Sequence, residues 1–242
     1  MFESATIGPV TLYLGDMREV LPGLDLRAKL LLSDPPYMLT SGGNTTGEMG
    51  GCFAHGAYDN SGALFPMVDW AEMAPLFYAA MAENADAIVM SSDRELQAAR
   101  GALQAAGLRF HRLLIWNKGT VTPNRWFMPN CEFGLYMWRG QPRTISNPSA
   151  KQLIYVPQRD ETMHPTEKPV LLLRNWIEQC SAPGDLVLDP FAGSGSTLIA
   201  AALAGRRAVG IEVQRKWFDV ACARLEAVLA GRVQGDWLEG VA

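Results

Sequence analysis

The chain has 242 residues, of which 48% are hydrophobic and 19% are charged, and its formal net charge is −4. This composition is typical of one large or two small globular domains, and it excludes a disordered, collagen-like or coiled-coil chain. No apolar run approaches the roughly 18 residues of a membrane helix, and the first residues lack a signal-peptide pattern, so we expect a cytoplasmic protein.

Cysteine spacing argues against a metal centre or a disulfide framework. The four cysteines stand 79, 49 and 42 residues apart, without a CxxC pair and without clustered histidines. We therefore expect reduced thiols and no bound metal.

Positive charge is concentrated in residues 109–168. This segment carries nine basic and four acidic side chains, whereas the rest of the chain has a net charge of −9. The distribution predicts one positive face on an acidic body, which suits a phosphate-bearing partner.

Hydrophobic periodicity predicts alternating strands and helices along most of the chain. We predict strands at 10–14, 30–32, 87–91, 110–116, 132–138, 186–189 and 208–212, and helices at 16–24, 68–84, 94–106, after 169, at 196–204 and at 214–229. This alternation is typical of an α/β fold with a largely parallel sheet. Two segments break it: the glycine-rich residues 38–66 predict a long mobile loop, and residues 117–165 predict an insertion or a binding surface.

A glycine turn follows the predicted strand at 186–189, with the sequence Asp-Pro-Phe-Ala-Gly-Ser-Gly-Ser-Thr at 189–197. Gly193 and Gly195 let the backbone approach a ligand closely, and the next helix begins there with free N–H groups. Glu212 ends the following strand, where a carboxylate can accept hydrogen bonds from two ribose hydroxyls. The pattern predicts a nucleoside cofactor, and because Leu198 stands where a dinucleotide site has its third glycine, it disfavours a pyrophosphate. The alternative is a tight strand-to-helix connection without a ligand.

A second turn, Ser-Asp-Pro-Pro-Tyr at 33–37, follows the predicted strand at 30–32. Its two prolines stiffen the chain. The Asp34 carboxylate and the Pro35 carbonyl can accept hydrogen bonds from one amino group, and Tyr37 offers a face on which a flat ring can stack. A proline-rich loop with a helix-capping Asp is the alternative, but two such turns in one α/β chain favour a ligand site.

These two motifs resemble those of the amino-group DNA methyltransferases that use S-adenosylmethionine, in the β arrangement of that family. Residues 34–37 resemble the catalytic motif and residues 189–197 resemble the methyl-donor motif, and the catalytic motif comes first. The resemblance implies a Rossmann-like, doubly wound and mostly parallel α/β sheet with permuted motif order. It also implies one catalytic domain over 1–242, with a catalytic-site loop at about 38–66 and a small target-recognition insertion at about 117–165.

The resemblance implies catalytic roles for Asp34, Pro35, Pro36 and Tyr37. Asp34 and the Pro35 carbonyl are expected to hold the exocyclic amine for direct methyl transfer, with positioning as the main catalytic effect. Tyr37 is expected to stack on the target base, which must leave the duplex because its amine is otherwise paired.

The resemblance further implies a cofactor site for S-adenosylmethionine and no metal. Asp16 occupies the position that contacts the adenine ring in relatives, and Lys168, in His-Pro-Thr-Glu-Lys-Pro at 164–169, suits the cofactor carboxylate. The expected cofactor-binding set is Asp16, His164, Thr166, Lys168, Asp189, Phe191, Gly193, Ser194, Gly195, Ser196, Thr197 and Glu212.

Basic residues of the insertion are expected to contact double-stranded DNA, since arginine can pair with guanine edges. The candidates are Lys118, Arg125, Arg139 and Arg143. Tyr136 and Trp138 alternate with apolar residues and are expected to be core residues of a strand. The insertion is short for a separate recognition domain, which predicts a short target sequence or help from a second subunit in a homodimer.

Adenine N6 is the expected target, because an Asp in the first position of the catalytic motif resembles the adenine enzymes. Cytosine N4 is the second hypothesis, because both bases offer an amine in the same local setting. A third hypothesis is methylation of RNA or of protein glutamine, and Asp34 in place of Asn argues against glutamine. A regulatory subunit that binds the cofactor without catalysis is the fourth, and the intact motifs argue against it. The sequence does not distinguish a restriction-modification enzyme from a solitary methylase.

Overall fold

The computed structural model describes residues 2–36, 68–119, 127, 130–157 and 167–231, and within these residues nine strands form one mixed sheet. The strands are β1 (Glu3–Ile7), β2 (Val10–Leu14), β3 (Ala28–Ser33), β4 (Met81–Ser91), β5 (Arg109–Asn117), β6 (Cys131–Arg139), β7 (Leu153–Tyr155), β8 (Leu186–Asp189) and β9 (Arg207–Glu212). The helices are α1 (Met17–Val20), α2 (Trp70–Ala80), α3 (Leu96–Ala105), α4 (Val170–Cys180), α5 (Ser196–Leu203) and α6 (Arg215–Leu229), and a 3-10 turn at Leu21–Gly23 follows α1.

The strand order across the sheet is β1-β2-β9-β8-β3-β4-β6-β5-β7. The five strands from β2 to β4 in this order are parallel. At one end β1 pairs antiparallel with β2, and at the other β6 pairs antiparallel with both β4 and β5. The prediction of a mostly parallel α/β sheet is confirmed.

Helices cover both faces of this sheet. On β3, Leu30 and Leu32 face the apolar layer completed by α4, α5 and α6, while Leu31 faces the layer of α1, α2 and α3. All three side chains are fully buried. A strand buried on both faces has a continuous apolar sequence, and the doubly wound arrangement is confirmed.

The strand order reverses between β3 and β8 at the centre of the sheet. Leu30 pairs with Val187 and Leu31 pairs with Leu188. From β8 the chain continues through α5 to β9 on one side, whereas from β3 it continues through α2 to β4 on the other. Ligands of open α/β sheets bind at the carboxyl ends of strands where the order reverses, so the fold brings the two motif turns together at such a place.

Two predicted helices differ from the observed ones. The helix predicted at 68–84 ends at Ala80, and Met81 begins β4 with extended backbone (φ −85°, ψ 151°) because it pairs with Ala28 of β3. The helix predicted at 16–24 has only one turn before the 3-10 turn that contains Pro22, which has no N–H to continue a helix.

Periodicity does not indicate β1 or β7. β1 is a largely exposed strand at the edge of the sheet, and β7 has three residues at the opposite edge. Each extends an adjacent strand, so pairing rather than local sequence determines them.

Candidate active site

The two motif turns line one pocket at the carboxyl ends of β3 and β8. Ser33, the last residue of β3, is fully buried, and its hydroxyl donates a hydrogen bond to Asp189 Oδ1 at 2.9 Å. Asp34, Pro35 and Phe191 line the pocket together with Asp189. The structure thus places the predicted catalytic turn directly beside the predicted donor turn.

Asp34 pairs with Lys168 in this pocket. The Lys168 ammonium donates to Asp34 Oδ2, and the Lys168 side chain is only 7% exposed. The sequence predicted that Lys168 would meet a cofactor carboxylate; in the structure its partner is the catalytic-turn carboxylate. Lys168 stands two residues before α4, and it reaches across the pocket from there.

Glu132 and Lys118 extend this ion pair. Glu132 Oε2 lies 3.3 Å from Lys168 Nζ, and Glu132 Oε1 lies 3.3 Å from Lys118 Nζ. Burial alone would raise the pKa of Glu132, but the charges of Lys168 and Lys118 outweigh it and hold that pKa below its ordinary value. Sequence reasoning missed Glu132, because no local motif marks it.

The donor turn has backbone geometry that requires glycine. Gly195 precedes α5 with φ +86°, and a Cβ there would lie 3.0 Å from Ala221 Cβ of α6. Gly193 also has a positive φ, of 51°. L-residues with side chains rarely adopt this conformation, so both glycines are needed for the turn itself.

Asp189 is buried at the base of the donor turn. It accepts hydrogen bonds from the Ser33 hydroxyl and from the Phe191 N–H, the latter at 3.1 Å. Burial raises the pKa of Asp189 to about 6, although these bonds and one from the Thr197 hydroxyl oppose the shift. A positive charge next to a buried carboxylate stabilises its ionised form, so this site favours a cationic partner.

Glu212, at the end of β9, connects the donor turn to α6. Its Oε2 accepts from Gly193 N–H at 2.9 Å and its Oε1 from Gln214 N–H at 2.8 Å. Burial raises the pKa of Glu212 above its ordinary value despite these two bonds and a third from the Val213 N–H. A carboxylate has about four acceptor positions, so Glu212 can still accept from a ligand hydroxyl.

Arg224 of α6 holds the donor turn in place by hydrogen bonds to Ser194. It donates to the Ser194 carbonyl at 2.7 Å and to the Ser194 hydroxyl at 2.8 Å, and it forms an ion pair with Glu167 at 2.8 Å. Both charged side chains are less than one-fifth exposed. Arg224 was not predictable as a site residue, because an arginine in an amphipathic helix ordinarily faces solvent.

Two further expected residues stand at the rim of the pocket. Asp16 caps α1 by accepting from Arg18 N–H at 2.8 Å, and its hydrogen bonds to the Arg18 side chain lower the pKa of Asp16. Phe191 packs edge-on against Phe77 of α2, with ring centroids 6.3 Å apart. Both also line the pocket, as do Pro36, Ser196 and Thr197.

The expected DNA contacts Arg139 and Arg143 lie at the opposite edge of the sheet. Arg139 pairs with Ala85, whereas Phe133, six residues earlier, pairs with Ser91 at the catalytic edge, so about 20 Å separates the two levels. The Arg139 guanidinium donates to two carbonyl oxygens, those of Tyr78 and Met81, at 2.7 and 2.8 Å.

Arg143 lies 3.7 Å from Asp185, which precedes β8. Both arginines therefore lie at the amino edge of the sheet, away from the two motif turns. Lys118 does lie at the catalytic edge, but its ammonium faces Glu132 rather than solvent.

Several sequence-predicted residues lie outside the described part of the chain. They are Tyr37, Arg125, His164 and Thr166, together with the predicted loop at 38–66.

The described residues contain no group of three or more His, Cys, Asp or Glu side chains placed to hold a metal ion. None of the described helices is long and apolar enough to span a membrane.

Comparison with known proteins identifies the family. The family model N6_N4_Mtase, described as DNA methylase, matches residues 28–222. This match includes both motif turns and most of the sheet.

Two curated relatives differ in how much of their length matches. The type II methyltransferase M2.DpnII of Streptococcus pneumoniae is 26% identical over 223 residues, which cover 82% of this chain and 82% of that protein. A chain of Escherichia coli strain K12 named as the methylase YubD is 49% identical over 78 residues. That match covers 31% of this chain and about a third (34%) of the relative.

Solved structures share the fold. The M1.HpyAVI complex with S-adenosylmethionine has a TM-score of 0.69 and 22% identity, and covers 89% of this chain and 99% of that one. The PvuII DNA methyltransferase, titled cytosine-N4-specific, has a TM-score of 0.69 and 15% identity, and covers 90% of this chain and 87% of that one. With the family match across both motif turns, the chain belongs to the DNA methylase family of amino-group methyltransferases, whose methyl donor is S-adenosylmethionine.

Proposed function

We propose that this protein transfers a methyl group from S-adenosylmethionine to the N6 amine of adenine in double-stranded DNA, with the target base flipped out of the duplex. The observation that carries this proposal is the adjacency of Asp34 to the donor turn, joined by the hydrogen bond from Ser33 to Asp189. Catalysis and donor binding are thereby assigned to neighbouring strand ends of one rigid sheet.

The chemistry of the pocket fits the methyl donor. Asp189 and Glu212 are buried acceptors for an ammonium group and for ribose hydroxyls, and Phe191 offers apolar surface for an adenine ring. Asp16, Gly193, Ser194, Ser196 and Thr197 complete the set that we assign to the donor. When bound, S-adenosylmethionine supplies an electrophilic methyl group on a sulfonium centre.

Asp34 and the Pro35 carbonyl orient the target amine. Both oxygens accept hydrogen bonds from its two N–H groups, which withdraws the nitrogen lone pair from conjugation with the ring and aims it at the methyl group. Pro35 is buried and Pro36 follows it, so the acceptors stand on a stiff turn. Positioning of this kind accelerates a direct transfer without a covalent nucleophile.

The choice of adenine rests on Asp34, the first residue of the catalytic motif. Cytosine N4 is the second candidate, because one protein with this fold is titled cytosine-N4-specific and both bases present an exocyclic amine. The two candidates share every residue role given above.

Nucleoside mass spectrometry separates them. Unmethylated genomic DNA is incubated with the protein and S-adenosylmethionine, digested, and analysed for methylated nucleosides. We expect N6-methyladenine. N4-methylcytosine alone would show that the target base is cytosine rather than adenine. The absence of any methylated nucleoside, with donor binding confirmed by calorimetry, would contradict a DNA methyltransferase activity.

Replacing the proposed amine acceptor tests the catalytic assignment. In Asp34→Asn we expect kcat to fall at least about 100-fold, because an amide presents an N–H where the amine needs an acceptor. Affinity for S-adenosylmethionine should stay within about threefold. Asp25→Asn, at an exposed carboxylate that pairs with Arg27, is the matched control and should retain full turnover. Wild-type turnover in Asp34→Asn would exclude Asp34 from the reaction.

A further inference from the structure

Four charged side chains of alternating sign connect β5 to the catalytic turn. They are, in spatial order, Lys118, Glu132, Lys168 and Asp34. Glu132 is the central anion, with an ammonium 3.3 Å from each of its oxygens. Its side chain is 20% exposed, and that of Lys168 is 7% exposed.

Strand register places Glu132 there. Asn117 of β5 pairs with Cys131 of β6, and Lys118 N–H then donates to the Asn130 carbonyl at 2.9 Å. Lys118 and Glu132 are therefore held at the catalytic edge by the backbone ladder rather than by flexible loops. A side chain on such a ladder keeps a fixed position relative to β3 and β4.

Lys168 needs Glu132 as a second partner, because a lysine side chain has a flexible four-carbon stem and a point charge without directional preference. With Asp34 as a sole partner, its ammonium can rotate while keeping one contact. With Glu132 on the other side, the ammonium is held between two carboxylates, and rotation would break one of the contacts.

We infer that Glu132 is a positioning residue for methyl transfer: with Lys118 behind it, Glu132 holds the Lys168 ammonium against Asp34 and so fixes the carboxylate that orients the target amine. This inference rests on the proposed function of Asp34. It assigns a role in the reaction to β6, a strand outside both motifs.

Glu132→Gln tests the inference, because it keeps the shape of the side chain and removes its charge. We expect kcat to fall by about tenfold or more, since small misplacement of a reacting group is costly, while KM for DNA and affinity for S-adenosylmethionine change by less than about twofold. Glu178→Gln, which removes the partner of Arg174 at a half-buried helical position, is the matched control and should leave kcat unchanged.

A double-substitution cycle identifies the route of the effect. If Glu132 acts through Lys168, Glu132→Gln in a Lys168→Met background lowers kcat no further than Lys168→Met alone. Multiplication of the two factors would show that Glu132 acts independently and would overturn the inference. If the Gln variant does not fold, Glu132→Asp, which withdraws the charge by one methylene, takes its place: a lowered kcat supports the inference and an unchanged kcat overturns it.

A crystal structure of Glu132→Gln decides the matter without any activity measurement. The Lys168 ammonium should rotate about its contact with Asp34 and shift the Asp34 carboxylate, and unchanged positions of both side chains would overturn the inference. Failure of the proposed function looks different: the wild-type protein would then methylate no DNA, whereas failure of this inference alone leaves the wild type active and Glu132→Gln equally active.

Discussion

Asp189 shows how one residue of the donor turn can be tuned by its surroundings. It sits below the surface with three protein donors around it, and burial still raises its pKa to about 6. At neutral pH it is ionised, and a cationic ligand group would stabilise that form further.

Donor affinity should therefore depend on pH. Because the ionised form of Asp189 binds a cation, we expect affinity for S-adenosylmethionine to be constant above about pH 7 and to fall by up to about tenfold per pH unit below about pH 6. Titration calorimetry from pH 5 to pH 8 measures this. Asp189→Asn is the control, and it should bind weakly at every pH. A wild-type affinity that does not change between pH 5 and pH 7 would remove Asp189 from the ammonium site.

Single residues were predictable from sequence where a local motif carried them. Asp189 and Glu212 each end a hydrophobic strand and Asp34 directly follows one, and the structure brings all three to one pocket. Glu132 and Lys118 were not recognisable as site residues, because their pairing with Lys168 depends on the register between β5 and β6. The contact between Lys168 and Asp34 was not predictable either, because the two residues are far apart in sequence.

Helix α6 supports the site although it does not line the pocket. It does so through the side chain of Arg224. The Arg224 side chain joins the donor turn at Ser194 to Glu167, which precedes α4. Three separate elements are thus connected by one guanidinium. A side chain with this many partly buried partners restrains backbone that must be in place before a ligand binds.

Removing this guanidinium should weaken donor binding. In Arg224→Met we expect the Kd for S-adenosylmethionine to rise about tenfold, because the Ser194 carbonyl and the Glu167 carboxylate both lose a donor. Arg215→Met on the same helix is the matched control. Its partners, Glu3 and Asp219, are exposed, and the Kd should not change. Equal affinities in the two variants, measured by calorimetry, would show that the donor turn holds its shape unaided.

Element boundaries were harder to predict than element types. The apolar residues around Ala80 and Met81 fit either a helix or a strand, and only the pairing of Met81 with Ala28 decides between them. The Arg139 guanidinium donates hydrogen bonds to the carbonyls of Tyr78 and Met81, where α2 gives way to β4. Its position in a predicted recognition segment did not indicate this role.

At the scale of the whole molecule, stability depends on a buried carboxylate far from the pocket. Asp86 of β4 is 1% exposed and accepts from the Tyr136 hydroxyl at 3.3 Å. Burial raises the pKa of Asp86 to about 6, against smaller opposing effects of Tyr136 and Arg143. The folded chain therefore binds this proton more tightly than the unfolded chain does.

The sign of the resulting pH dependence follows. The contribution of protonated Asp86 to stability is fully present below about pH 4 and is lost as the pH rises through about 6. Asp86→Asn should avoid the loss and raise the free energy of unfolding at pH 8 by roughly 3 kcal/mol. Thermal melts at pH 4, pH 5 and pH 8 measure this, and the gain in Tm should be several degrees at pH 8, about half as large at pH 5 and small at pH 4. An equal Tm for variant and wild type at pH 8 would contradict it.

The overall fold was largely predictable, because parallel strands that are buried on both faces of the sheet have continuous apolar sequences that are easy to recognise. Leu30 to Leu32 and Leu186 to Asp189 are examples. The arrangement of β5 and β6 was less so, because their antiparallel pairing to β4 depends on contacts between residues far apart in sequence.

The alternating charges of Lys118, Glu132, Lys168 and Asp34 cancel. Any single neutral substitution among them leaves an excess charge in a largely water-excluded place, and an orphaned charge of this kind destabilises a protein more than the loss of a whole pair does. Catalytically dead protein for trapping a DNA complex is therefore best made as the double variant Asp34→Asn with Lys168→Met. This neutralises both members of one pair and should give more folded material on expression than either substitution alone.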